Sequence, residues 1–143
     1  LEALVADDDP RLVRLRGDVV SSLLALDRLD EAARELEHPS LSTTGSSATV
    51  YDGLNRCELA LRRGQVPAAL DELDRLPEPL PESLRFHAAV LRSLVALRLD
   101  QFEDELLIGL DRANESRQLS DAQVEDWLTQ LAVSPDERAR LDL

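Results

Sequence analysis

The side chains able to do chemistry in this chain are few and scattered. Glu35 and His38 form a Glu-x-x-His pair of the kind di-iron bundles use, but such centres need the pair twice plus further glutamates, and here it occurs once, before Pro39. Asp7, Asp8 and Asp9 could attract a divalent cation, yet consecutive carboxylates in a chain end stay solvated or cap a helix. Cys57 would need a neighbouring histidine and an electropositive setting to act as a nucleophile, and it sits at a small-residue packing position that reads as core. The glycines at 17, 45, 53, 64 and 109 stand singly and none precedes a lysine, so there is no phosphate-binding loop. No nucleophile, base and stabiliser can be placed together, and the chain reads as non-catalytic, with no metal and no cofactor. Two aromatic groups stay in view. His87 is a polar surface or groove residue, and Trp127 shares one side of a terminal helix with Val124, Leu128 and Leu131, as core or as a partner anchor.

Charge narrows the partners. Asp and Glu number 29 against 16 arginines, with no lysine, for a net charge of −13. Neutralising phosphates takes clustered cations, so nucleic acid is excluded as the main partner. The arginines lie among carboxylates, as in Arg28-Leu29-Asp30-Glu31, which describes solvated mixed-sign helix faces. No apolar run nears the ~18 residues of a membrane span, and no signal-like start is present. A single cysteine precludes an internal disulfide, and the cytoplasm is the expected compartment. The Leu, Ala, Asp and Arg bias fits a GC-rich bacterial genome. A start on Leu1 and the absence of Met suggest a piece of a longer protein.

The elements that must position these groups repeat. Residues 23–33, 59–69 and 95–105 each run from small and apolar residues through Asp or Gly into an Ala/Leu-rich, mostly acidic stretch. The hinge residues Asp27, Gly64 and Asp100 are 37 and 36 positions apart, a period expected of stacked helical hairpins. The first helix should span residues 10–26 with Leu12, Leu15, Val19, Leu23 and Leu26 on one face, and its partner should end before Pro39. Residues 39–49, rich in Ser and Thr, read as a link. A second hairpin follows over residues 50–76 and a third over 82–119, the latter with Asp100 and Glu103 as a capping box. Ser120 with Gln123 and Ser134 with Glu137 start two short helices, over residues 120–143, that should cover the end of the stack. The whole, residues 1–143, is one all-α domain of hairpins over about 10–38, 50–76 and 82–119 plus a C-terminal cap.

Small residues in the first helices (Val20, Cys57, Ser93), the turn glycine Gly64, alanines early in the second helices (Ala32, Ala69), Leu36 and Leu73, and Pro81 at the end of the second repeat resemble the tetratricopeptide repeat. Glu105, in place of the packing alanine, departs from the pattern. The resemblance implies a right-handed α-α superhelix whose first helices line a concave groove for a peptide or partner helix, as the regulatory or interaction part of a bacterial regulator or signalling protein. Carried over residue by residue, the polar anchors are Arg14, Tyr51, Arg62, His87 and Arg98, and the apolar floor is Leu24, Leu54, Leu61, Val90 and Leu94. Ser21 and Glu58 lie between them. The arginines would select an anionic segment, so Arg62→Ala with Arg98→Ala is expected to abolish binding without lowering the melting temperature. The chaperone-tail clamp of that family is not matched, since only Asn55 agrees with it. The alternatives are a homo-oligomerisation module, or a small-molecule effector sensor, which a deep polar cavity would favour over a shallow groove.

Overall fold

The computed structural model describes the backbone of residues 10–37 and 47–141 and the side chains of residues 18–36 and 50–141. Over these residues the chain is all-α, eight helices with no strand. They are α1 (Pro10–Ala25), α2 (Leu29–Glu37), α3 (Ser47–Arg62), α4 (Val66–Asp74), α5 (Glu82–Arg98), α6 (Asp104–Glu115), α7 (Asp121–Gln130) and α8 (Pro135–Leu141). Neighbours pair as α1/α2, α3/α4 and α5/α6; each first helix also packs on the next, α1 on α3 and α3 on α5. The second helices bridge forward, α2 onto α3 and α4 onto α5, and α8 returns to α5.

One backbone device makes the turns. Asp27 (φ 58°), Gly64 (φ 73°) and Asp100 (φ 56°) all adopt the left-handed conformation. At each, the following N–H bonds back to a carbonyl five residues earlier: Arg28 to Leu23, Gln65 to Ala60 and Gln101 to Ala96, all at 2.8 Å. The hinge N–H groups themselves reach Leu24, Leu61 and Leu97. This double bond pattern is the Schellman closure, which satisfies the last carbonyls of a helix and reverses the chain. A fourth copy stands at Ala132 (φ 55°), where Val133 N–H meets Leu128 and Ala132 N–H meets Thr129. The same turn thus joins α7 to α8 within the expected cap, and α8 packs back on α5. Alanine carries no turn signal, which concealed this turn.

Register corrects two expectations. In α2 and α4 the inward residues are Ala32 and Leu36, then Ala69 and Leu73, at equal distances from their hinges. In α6 the buried leucine is Leu110, one position later, and the turn is longer: three residues separate Asp100 from α6, against one after Asp27 and one after Gly64. Glu105 is therefore exposed and replaces no packing alanine. Asp100 forms no capping box with Glu103, since it is the hinge itself; Glu103 is the N-cap of α6 and its side chain makes no capping bond. The other two starts form as read, with reciprocal bonds between Ser120 and Gln123 and between Ser134 and Glu137. Of the expected stripe on α1, the side chains of Leu12 and Leu15 lie outside the described residues and Leu23 packs partly buried against the core. Val20 and Leu24 are buried, whereas Val19 is 40% and Leu26 65% exposed, because the hinge ends α1 at Ala25 and leaves Leu26 in the turn.

The core is a chain of three clusters rather than one centre. Val20, Leu24, Ala32 and Leu36 pack with Leu59 of α3. Cys57, Leu61, Ala69 and Leu73 pack with Leu91, Leu94 and Leu131. Phe86, Val90 and Leu110 pack with Val124, Leu128 and Leu141. Each cluster takes residues from the next hairpin, as a stacked array requires. α3 starts at Ser47, three residues ahead of the expected position. Asp7 to Asp9, His38 and the rest of the expected link lie outside the described residues.

Candidate functional site

Helices α1, α3, α5 and α7 contribute to a cavity of about 260 Å³. Helical spacing explains the lining. α3 offers Tyr51, Leu54, Asn55 and Glu58, α5 offers Leu84, His87 and Leu91, α1 adds Ser21 and α7 adds Trp127. Tyr51 and His87 sit at equivalent places, each 13 residues before its hinge, and Ser21 and Glu58 each lie six before theirs.

A hydroxyl cluster closes one side. Ser21 Oγ is 2.5 Å from Tyr51 Oη and donates to Asn55 Oδ1 at 3.4 Å, while Tyr51 donates to Asp18 at 3.5 Å. Burial, with help from the Asp18 charge and against the Ser21 bond, holds the Tyr51 phenol above its ordinary range. On the other side Trp127 Nε1–H donates to Glu58 Oε1. Glu58 Oε2 lies 3.8 Å from Arg62 Nε. Burial pushes the Glu58 carboxyl above the usual carboxylate range, against the opposing pull of the Trp127 bond and the Arg62 charge. The His87 and Trp127 rings are 4.8 Å apart, and Phe86 lies 6.3 Å from each. His87 Nδ1 is buried with no hydrogen-bond partner among the described residues, and burial lowers the imidazole's pKa and favours its neutral form.

The two arginines expected to meet a partner are occupied within the fold. Arg62 donates to the Leu24 carbonyl at the end of α1 and to Gln130 of α7 at 3.3 Å. Arg98, at the equivalent place two residues before its hinge, donates to Glu137 at 3.0 Å and to the Leu131 and Ala132 carbonyls at the end of α7. A guanidinium at a helix C-terminus pairs orphan carbonyls and opposes the negative end of the dipole. Burial raises the Glu137 carboxyl, but bonds from Arg98 and Ser134 outweigh it and hold the group below its ordinary range.

The expected groove residues therefore divide. Ser21, Tyr51, Leu54, Glu58 and His87 line the cavity together. Leu24, Leu61, Val90 and Leu94 are core, between 0% and 4% exposed, and offer no accessible floor. Arg62 and Arg98 tie hairpins to one another, and the side chain of Arg14 lies outside the described residues. Leu84 was not read from the sequence at all, and Trp127 was not placed beside α3, because its helix had no recognised place in the repeat. Cys57 is fully buried and its thiol is pushed up to about 12, first by burial and then by the Glu58 and Glu72 charges, so it is no nucleophile. Among the described residues no group of three or more His, Cys, Asp or Glu is placed to hold a metal, and no helix is long and apolar enough to cross a membrane. Compared with family models, with curated proteins and with solved structures, the chain matches none.

Proposed function

We propose that this chain is a non-catalytic protein-interaction module, a right-handed superhelix of tetratricopeptide type serving as a regulatory part of a larger cytoplasmic bacterial protein. It takes a group of a peptide or partner helix in the cavity to which α1, α3, α5 and α7 contribute. The observation that carries this reading is the cavity itself. Four helices, α1, α3, α5 and α7, converge on a concave, solvent-open site of about 260 Å³ where the polar groups of Ser21, Tyr51, Glu58 and His87 lie among apolar side chains. With Arg62 and Arg98 spent on the scaffold, an anionic segment loses the cations that would have selected it.

The test is selection of twelve-residue peptides from a random library, followed by titration of the emission of Trp127, the sole tryptophan. Selected peptides should shift that emission, and Tyr51→Ala should weaken them at least tenfold while the helical circular dichroism is kept. Peptides that leave Trp127 emission unchanged would refute the reading. The cavity also favours a second reading, a small effector in place of a peptide group, because polar groups from several helices converge among its apolar side chains.

A further inference from the structure

We infer that the cavity binds an organic cation, an ammonium or guanidinium group held by the Glu58 carboxylate and faced by the rings of Tyr51, His87 and Trp127. The inference rests on the interaction reading and specifies what the site selects. Aromatic residues are scarce in this chain, with one Trp, one Tyr, two Phe and two His. Yet the only tryptophan, the only tyrosine and one of the histidines line one cavity, from α7, α3 and α5. Rings attract a cation through their negative faces, most strongly where water is displaced.

Among the described residues Glu58 is the only carboxylate in the lining. One of its oxygens accepts from Trp127, and the other is ion-paired at 3.8 Å with Arg62 Nε, too far for a hydrogen bond. Arg62 is turned to the Leu24 carbonyl and Gln130 and does not line the cavity, so the carboxylate retains acceptor capacity toward it. The Tyr51 and Ser21 hydroxyl oxygens and the unpartnered His87 Nδ1 add sites for the N–H groups of a bound cation. A net charge of −13 further concentrates cations around the molecule.

The experiment uses the full chain and two probes of one shape, n-butylammonium and n-butanol, titrated by Trp127 emission and by calorimetry. Butylammonium should bind at least tenfold more tightly than butanol. Glu58→Gln keeps an acceptor for Trp127 and should bring the two probes within twofold of one another. Equal binding of the two probes by the wild-type chain, or none of the cation, would overturn the inference, and that comparison needs no variant to fold. Peptides carrying one Lys or norleucine in its place separate the sources. A Lys preference of tenfold or more assigns the cation to a partner's side chain, whereas a free amine binding more tightly than the Lys peptide assigns it to a small molecule. A peptide that shifts Trp127 equally with Lys or norleucine ends the cation inference and leaves the interaction reading standing.

Discussion

Replacing Arg62 by alanine removes the side chain that joins α1, α3 and α7. Its side chain is 6% exposed and donates to the Leu24 carbonyl on α1 and to Gln130 on α7, beside Glu58 on its own helix. Truncation removes one of the two donors to the Leu24 carbonyl, which keeps the Asp27 N–H, and leaves the Glu58 carboxylate, 12% exposed, without its neighbouring cation. A hydrogen bond to a charged donor contributes about 1.5–3 kcal/mol. Stripping the partner from a buried charge costs about 3–5 kcal/mol, but Glu58 already tends toward its neutral form and can shed part of that by taking a proton. The net loss at pH 7 is therefore about 3–4 kcal/mol, which for a chain of this size lowers the melting temperature by about 10 °C. It should shrink at pH 5, where Glu58 is protonated more readily. Urea unfolding and calorimetry of Arg62→Ala measure it, with Arg63→Ala as the control. Arg63 pairs at 2.9 Å with Asp30, whose side chain is 94% exposed, and its loss should cost less than about 0.5 kcal/mol. A loss below about 1 kcal/mol for Arg62→Ala, or one equal to the control's, would refute the structural role and restore a free arginine for a partner.

Three further outcomes are expected. His87 is held below its ordinary 6.5 by burial, so stability is present above that pH and is lost as pH falls, when the unfolded chain gains a proton that the folded chain refuses. Glu58 acts in the opposite sense, its raised value withdrawing stability as pH rises from about 4.5. The groups around the pair are Phe86 and Trp127 against His87, Arg62 and Trp127 beside Glu58, and Tyr51 with Asp18 across the cavity. His87→Gln should accordingly remove the loss of stability that His87 contributes as pH falls from 7 to 5 and shift the urea-derived slope toward the opposite, Glu58 trend; an unchanged slope would contradict this. Cys57 should react with an aromatic disulfide reagent roughly a hundredfold or more slowly in the native chain than in urea, followed by absorbance. Ala132→Gly should raise stability by about 0.5 kcal/mol in urea, since relief of the left-handed alanine exceeds the added freedom of the unfolded chain.

Local signals in the sequence carried the hairpins. Asp27, Gly64 and Asp100 are legible because apolar runs stop there and acidic ones begin, and Ser120 and Ser134 are legible as caps because their partners lie three residues on. Ala132 uses the same backbone turn with a residue that favours a helix, so the turn between α7 and α8 is not legible from its residue type. The cavity was half legible. Tyr51, Glu58 and His87 follow from the repeat register, but Trp127 meets Glu58 across 69 residues, and Arg62 meets Gln130 across 68. Such pairings arise from how hairpins stack, which periodicity within one helix does not encode. The same limit hid the fate of Arg98, whose partners are two carbonyls and a carboxylate some 33 to 39 residues away.

Heteronuclear NMR of the chain titrated with n-butylammonium tests whether α1, α3, α5 and α7 build one site for a cation. Shift changes are predicted to converge on Ser21, Tyr51, Glu58, His87 and the Trp127 indole N–H, spanning α1, α3, α5 and α7, with little response to n-butanol. Changes centred elsewhere, or equal changes with the neutral probe, would contradict it.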